Sequence, residues 1–186
     1  MSDIAAKSKA SSFRVSQIAM IGVVTAVTCV LGPLALPIGP VPISLTNLVI
    51  YFSLYVLGMK NATISYLVYL LLGLVGLPVF SGFTSGPGKL FGPTGGYLIG
   101  FIFLALIQGF AMKYFDRKLI PTIIGMLIGM AVCYIFGTVW LAKLMSLSFK
   151  EGLFMGVIPY LPGDAVKIII AVIVGPKLYA ATKKVR

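Results

Sequence analysis

The sequence contains no histidine and only four acidic residues among its 186 residues. Without histidine the chain lacks the commonest zinc ligand and the usual general base, so zinc sites and histidine-based triads are excluded. Its two cysteines, Cys29 and Cys133, lie in apolar segments and show no CxxC spacing. An enzyme acting on lipid would need a nucleophile and a base. Because the chain has no histidine and few acidic residues, such an enzyme is the least favoured function class. We expect no catalytic residue, no metal and no cofactor.

Charge of either sign is also scarce: charged residues make up 10% of the chain and hydrophobic residues 59%. A soluble domain has roughly 25% charged and 45–50% apolar residues, so this chain lacks the polar surface that a soluble globule needs. The apolar segments predict an all-α integral membrane protein, a six-transmembrane-helix bundle in a single domain over residues 1–186. The predicted spans are about 15–34, 43–58, 62–77, 94–112, 121–141 and 152–176.

The positive charges that are present cluster in particular connectors. In the six-span arrangement one side of the membrane collects Lys7, Lys9, Arg14, Lys60, Lys113, Arg117, Lys118, Lys177, Lys183, Lys184 and Arg186, and the other side only Lys89, Lys143 and Lys150. The positive-inside rule then predicts that both termini are cytoplasmic. This distribution explains the net charge of +11 as a topology signal and argues against a nucleic-acid partner.

Two connectors rich in glycine and proline, about 32–42 and 78–93, fall on the outer side in this arrangement. Glycine and proline prevent regular helix there, yet Phe80 and Phe91 are too apolar for a plain solvated loop. These connectors are typical of a lid over an external site. The segment ending at Lys89 does not match a P-loop, because Leu90 follows the lysine instead of serine or threonine. ATP binding by this chain is therefore not expected, although Lys89 is a candidate for meeting an anionic ligand group.

An acid and a lysine lie inside the last apolar segment, at Asp164 and Lys167. The acid could be there for a purely local reason, because Pro162 suits the first position of a helix and a negative charge at Asp164 suits its first turn. An exposed pair at this spacing gains only roughly 0.2–0.5 kcal/mol, whereas a charge at the bilayer centre costs about 2.5–3.5 kcal/mol. The imbalance favours a polar ligand site that includes both residues.

Most tyrosines, together with Trp140, have the distribution of residues at the membrane interface; these are Tyr51, Tyr55, Tyr66, Tyr69 and Tyr134. Tyr97 and Tyr160 differ, because each adjoins a Gly/Pro break on the side of the expected site, and Asn47 directly follows the first connector. On the first span, Ala19, Gly22 and Ala26 form a small-residue face that allows close helix packing, either within the bundle or with a partner.

Four motifs in fixed order, GPVPISLTNL, GLVGLPVFSG, GPTGGYLIGF and YLPGDAVK, closely resemble the BioY family, the biotin-specific substrate-binding subunits of energy-coupling factor (ECF) transporters. The resemblance implies a multi-pass S-component of a prokaryotic cell membrane that binds biotin from outside, beneath the two connectors. It also implies a coupling transmembrane subunit and two cytoplasmic ATPases as partners. In such a family Asp164 and Lys167 are expected at the vitamin, and Gly22 and Ala26, with Ala19 nearby, at the coupling subunit.

The leading hypothesis is capture of biotin at the outer face and its delivery with an ATP-driven module. The ureido N–H groups would donate to Asp164, either Lys167 or Lys89 would neutralise the valerate carboxylate, and loop aromatics such as Phe80 and Phe91 would cover the thiophane ring. The alternative is a stand-alone facilitator or channel for biotin or another small vitamin. Saturable uptake without ATP by this chain alone in proteoliposomes would indicate that alternative.

Overall fold

The structure, a computed structural model, describes residues 15–36 and 41–183. Several predicted features lie outside these described residues, namely the charges at Lys7, Lys9, Arg14, Lys184 and Arg186, and Pro37 and Pro40 of the first connector. Within the described residues four segments are long and apolar enough to cross a membrane: Thr46–Leu74, Gly95–Tyr114, Leu119–Met145 and Phe149–Thr182.

Seven helices and one short hairpin make up the described chain. The helices are α1 (Val15–Leu31), α2 (Thr46–Leu74), α3 (Pro87–Leu90), α4 (Gly95–Tyr114), α5 (Leu119–Met145), α6 (Phe149–Gly156) and α7 (Leu161–Thr182). Strands β1 (Ala35–Leu36) and β2 (Ile43–Ser44) pair antiparallel, with Ala35 opposite Ser44 and Leu36 opposite Ile43. The first connector, where no regular helix was expected, contains this hairpin.

The second and third predicted spans form the single helix α2, which is interrupted at Gly58 (φ 76°, ψ 171°). A positive φ of this kind is readily adopted only by glycine. The helix continues after Gly58 because the residues that follow include no proline, which would remove a helical hydrogen bond. The two parts of α2 thus stand where the sequence predicted two helices. Together with α1, α4, α5 and α7 they give the six helical segments that the sequence predicted.

The last long helix, α7, begins at Leu161, later than the predicted start near residue 152. The intervening residues form α6 and a 3₁₀ turn at Ile158–Tyr160. A capping box between Ser148 and Glu151 lies at the start of α6. Val157 ends α6 with a non-helical backbone (φ −131°, ψ −57°), so the chain changes direction before α7. This break places Asp164 in the first turn of a new helix.

Helices α4 and α5 pack closely because glycines face each other's backbone. A Cβ atom at Gly100 would lie 2.9 Å from Cys133 Sγ, and one at Gly129 would lie 3.1 Å from Leu104 Cα. On the other side of the bundle, α1 is joined to α2 by a hydrogen bond of 2.8 Å between the Thr25 and Ser65 hydroxyls. Helix α2 also packs against α4 and α7, and it supplies more of the buried core than any other helix.

The two Gly/Pro-rich connectors contact each other at one end of the bundle. The Gly82 N–H donates to the Pro33 carbonyl at 3.0 Å, and the Gly86 N–H donates to the Gly73 carbonyl at 2.7 Å. Gly82 (φ 76°) and Gly86 (φ 81°) have the left-handed backbone that glycine tolerates best. Both connectors are therefore held over the ends of α2, α4 and α7.

Candidate binding site

The first turn of α7 buries an ion pair at the connector end of the bundle. Asp164 and Lys167 are each 8% exposed, and Lys167 Nζ lies 2.8 Å from Asp164 Oδ1. Their spacing along a helix places them on the same face, and Pro162 lies in the first helical positions. A buried pair of this kind needs further hydrogen bonds, because desolvation opposes the Coulomb attraction.

Two other helices supply hydrogen bonds to the Asp164 carboxylate. Asn47, in the first turn of α2, donates from Nδ2 to Asp164 Oδ1 at 2.7 Å. Tyr134, in the middle of α5, donates its hydroxyl proton to Asp164 Oδ2. The carboxylate thus accepts from three residues on three helices, and charge-assisted bonds of this kind are stronger than neutral ones.

Lys167 also joins the site to the first connector. Its Nζ donates to the main-chain carbonyl of Ser44 on β2 at 2.7 Å, in addition to Asp164. An ammonium has three N–H donors. Within the described residues two of these have acceptors, so one donor is left for a ligand.

A small cavity of about 60 Å³ lies beside the ion pair, bordered by both connectors and by residues of α2, α4, α5 and α7. Its polar lining consists of Ser44, Asn47, Ser81, Thr94, Tyr97, Tyr134, Tyr160, Asp164 and Lys167. Its apolar lining includes Leu98, Phe101, Met130 and Cys133. Pockets for small molecules usually measure about 300–1,000 Å³, so a vitamin enters only if the connector moves outward.

Tyr97, one of the predicted site residues, is fixed by two glycines. It is 6% exposed, and its ring lies directly against the space that a Cβ at Gly137 would occupy, while its hydroxyl lies against Gly156. The hydroxyl is 3.4 Å from Thr138 Oγ1. These contacts hold the ring at the wall of the cavity.

Five predicted site residues therefore line the cavity: Asn47, Tyr97, Tyr160, Asp164 and Lys167. Three others do not. Phe80 is fully buried against Tyr69, with ring centroids 5.6 Å apart, and it fills the space over Gly73. Phe91 is 58% exposed, and Lys89 is partly buried on α3, where burial lowers its pKa from the ordinary value. The ligand contacts of these three residues stay predictions.

Tyr134 is the main site residue that the sequence did not suggest, because tyrosines in membrane proteins are usually found at the interface. The available signal was its position: it lies near the middle of the predicted span 121–141, not at an end where an interfacial residue would lie. Ser44 was missed as well, since it contributes a main-chain oxygen that any residue type would carry.

The small-residue face of α1 lies at a different part of the surface. Ala19, Gly22 and Ala26 are exposed, and a Cβ atom added at Gly22 would have no neighbour within 4 Å. Gly22 and Ala26 line an apolar groove of about 510 Å³ between α1 and the second part of α2; Ala19 is not among its lining residues. The structure thus leaves this face open to a partner.

Comparison with known proteins identifies close relatives over nearly the whole chain. The BioY family profile matches residues 6–184. The chain is 35% identical over 162 residues to biotin transporter BioY2 of Lactococcus lactis, covering 87% of this chain and 89% of the relative. It is 33% identical over 162 residues to biotin transporter BioY of Thermotoga maritima, covering 87% of this chain and 95% of the relative.

A solved structure has the same architecture. It is a crystal structure at 2.1 Å of the S-component for biotin from an ECF-type ABC transporter, with a TM-score of 0.81 and 32% sequence identity. The superposition covers 88% of this chain and 90% of that one. Both the sequence and the arrangement of helices are therefore shared with these relatives.

Proposed function

Because the chain belongs to the BioY family, we propose that the cavity beside Asp164 and Lys167 is the place where it binds biotin. The chain is a biotin transporter subunit of the S-component type, a transport protein and not an enzyme. The observation that carries the site assignment is the buried Asp164–Lys167 pair, which lines a cavity directly under the first connector.

The remaining hydrogen-bonding capacity of the pair matches the ureido ring of biotin. A carboxylate offers about four lone-pair sites. Asp164 uses three of them in the described structure, for Asn47, Tyr134 and Lys167, while Lys167 keeps one N–H donor. One acceptor and one donor side by side complement a neutral group that presents N–H next to C=O. The ureido ring of biotin is such a group.

The other parts of biotin have chemically suitable neighbours. Leu98, Phe101 and Met130 form an apolar wall for the thiophane ring. Lys167 is already paired with a carboxylate, so a second carboxylate there would leave two anions to one ammonium. Lys89 is therefore the better candidate for the valerate carboxylate, reached when the second connector closes over the ligand.

Entry of biotin requires the first connector to move, because the cavity of about 60 Å³ is far below the roughly 300–1,000 Å³ of small-molecule pockets. The bond between Lys167 and the Ser44 carbonyl holds the hairpin against α7. Outward movement of the hairpin breaks that bond, and the ureido carbonyl of biotin then accepts from Lys167, so the ammonium stays bonded.

The outer location of this cavity follows from the charge distribution, with both termini in the cytoplasm. The open face at Gly22 and Ala26 is the expected contact with a coupling transmembrane subunit, which two cytoplasmic ATPases would drive. Support for this arrangement comes from the relative described as an S-component of an ECF-type ABC transporter.

Calorimetry with purified protein tests the site assignment. Asp164→Asn keeps the shape of the side chain but removes the charge, so a ligand N–H is left poorly paired, at a cost of about 1–3 kcal/mol, or roughly 5- to 150-fold in affinity. Asp116→Asn is the matched control, because Asp116 is exposed and does not line the cavity beside Asp164. It also has a left-handed backbone (φ 47°) that asparagine tolerates. Equal biotin affinity of the two variants would rule out the role of Asp164.

A further inference from the structure

A second polar cavity, of about 490 Å³, lies at the end of the bundle opposite the biotin site. It is lined by Gln17, Leu54, Leu57, Gly58, Met59, Lys60, Asn61, Gly109, Met112, Lys113 and Arg117. Helix α4 reaches both cavities, with Tyr97 at one and Lys113 at the other. Tyr97 and Lys113 are 16 residues apart, which is about 24 Å of helix, so the two sites lie toward opposite ends of α4.

The charge of this cavity is entirely positive. Lys60, Lys113 and Arg117 line it, and no acidic residue does. Within the described residues neither Lys113 nor Arg117 has a carboxylate partner, since the ion pair found there joins Lys167 to Asp164. Two cations at one cavity, Lys113 and Arg117, with no carboxylate partner among the described residues indicate an anionic occupant.

Arg117 in particular has a donor without an acceptor. Its main-chain N–H donates to the Met112 carbonyl at 2.9 Å, and its guanidinium lies 4.1 Å from the centroid of the Tyr179 ring. The ring contact holds the side chain at the cavity, yet the Nε atom of Arg117 is buried and has no hydrogen-bond partner among the described residues. Buried donors are nearly always satisfied, so this one indicates a missing acceptor.

The cavity also has an apolar part, formed by Leu54, Leu57, Met59 and Met112. A Cβ atom at Gly109 would lie 2.6 Å from Met59 Cγ, which shows that α4 closes tightly onto the break in α2 and shapes this wall. A free inorganic anion gains nothing from such a wall, whereas the glycerol and first methylenes of a lipid do.

We propose that this cavity binds the phosphate group of an anionic phospholipid. The Arg117 guanidinium presents paired N–H donors whose geometry matches two phosphate oxygens, and the Lys113 ammonium adds a compact charge at the rim. Basic pockets between transmembrane helices on the cytoplasmic side are a known type of site for anionic head groups. The site is independent of biotin binding, because it shares no lining residue with the cavity at Asp164.

Native mass spectrometry of the detergent-purified full chain tests the proposal, with phosphatidylglycerol and phosphatidylcholine as probes. Wild-type protein is expected to retain phosphatidylglycerol at least fivefold better than phosphatidylcholine. Lys113→Gln is expected to reduce that retention at least threefold, and Lys113→Gln with Arg117→Gln to abolish the preference. Lys118→Gln is the matched control, because Lys118 adjoins Arg117 and carries the same charge but does not line the cavity.

Biotin calorimetry on the same samples reports whether each variant is folded, and unchanged affinity is expected in all of them. Lys113 is exposed and makes no hydrogen bond within the described residues, so Lys113→Gln should fold normally. Equal loss of phosphatidylglycerol in Lys113→Gln and Lys118→Gln would overturn the proposal, as would equal retention of the two lipids by wild type. Competition by millimolar inorganic phosphate that removes the lipid preference would overturn the lipid assignment in favour of a free anion. Protection of Lys113 from amine acylation by the coupling subunit, but not by phosphatidylglycerol, would overturn it in favour of a protein contact.

Discussion

The ammonium of Lys167 lies 2.7 Å from the main-chain oxygen of Ser44, so a residue of the last helix holds the first connector in place. The same ammonium is 2.8 Å from Asp164 Oδ1. One side chain thereby links the proposed ligand-binding carboxylate to the hairpin that covers it. Ligand binding and movement of the hairpin are expected to be coupled through this residue.

Replacement of Lys167 by methionine should lower both stability and biotin affinity. It leaves the Asp164 carboxylate buried without its counter-charge, and breaking a buried pair from one side costs about 3–5 kcal/mol. Thermal unfolding in detergent measures the change, with Lys150→Met as the control because Lys150 is exposed. The double variant Asp164→Leu with Lys167→Met should recover part of the lost stability, since no unpaired charge remains. Equal melting temperatures of Lys167→Met and Lys150→Met would contradict the expectation.

Replacement of Tyr134 by phenylalanine should weaken biotin binding while leaving the fold intact. The change removes the donor to Asp164 Oδ2 and nothing else, and a hydrogen bond to a charged group contributes about 1.5–3 kcal/mol. Without this bond the carboxylate is less firmly positioned, so biotin affinity should fall, and calorimetry measures the loss. Tyr114→Phe serves for comparison, because Tyr114 is 72% exposed. An affinity that matches this control would remove Tyr134 from the site.

Replacement of Gly137 by alanine should damage the site without touching a polar residue. The added methyl group would overlap the ring of Tyr97, and forcing such a ring aside costs about 1–3 kcal/mol. Biotin affinity should fall, whereas Gly163→Ala should have no such effect because a Cβ there meets nothing within 4 Å. If both variants bind biotin alike, the placement of Tyr97 at the ligand is wrong.

Replacement of Gly22 by leucine should separate partner binding from ligand binding. The groove beside Gly22 is open in the isolated chain, so the variant should fold and bind biotin normally. A bulky side chain on a small-residue face should, however, prevent close approach of a partner helix and reduce co-purification with the coupling subunit. Val23→Leu is the neighbouring control, since Val23 is exposed and lies outside the groove. Unchanged co-purification of Gly22→Leu would place the contact elsewhere.

The sequence predicted best those features that depend on local spacing or composition. Asp164 and Lys167 are three residues apart, so any helix there brings them to one face, and the cost of burying them indicates a polar site. The break near Gly58 was indicated by the polar residues that follow it. The BioY motifs identified the family, which the comparisons confirm.

Features that depend on packing between distant segments could not be obtained in this way. Tyr134 meets Asp164 across 30 positions of sequence, and only the packing of α5 against α7 brings them together. Phe80 was expected at the ligand because its connector is apolar; in the structure its ring packs over Gly73, outside the cavity lining, and its ligand contact stays a prediction. The start of α7 also depended on tertiary structure, because α6, the 3₁₀ turn and α7 lie in one continuous segment, Phe149–Thr182, that is long and apolar enough to cross a membrane.

The position of the ureido ring in a crystal structure of the biotin complex tests the site assignment most directly. We expect a ureido nitrogen within hydrogen-bonding distance of a carboxylate oxygen of Asp164, with the ureido oxygen bonded to Lys167 Nζ and the Ser44 carbonyl displaced from that atom. A biotin molecule bound elsewhere, with the contacts among Asp164, Lys167 and Ser44 unchanged, would contradict it.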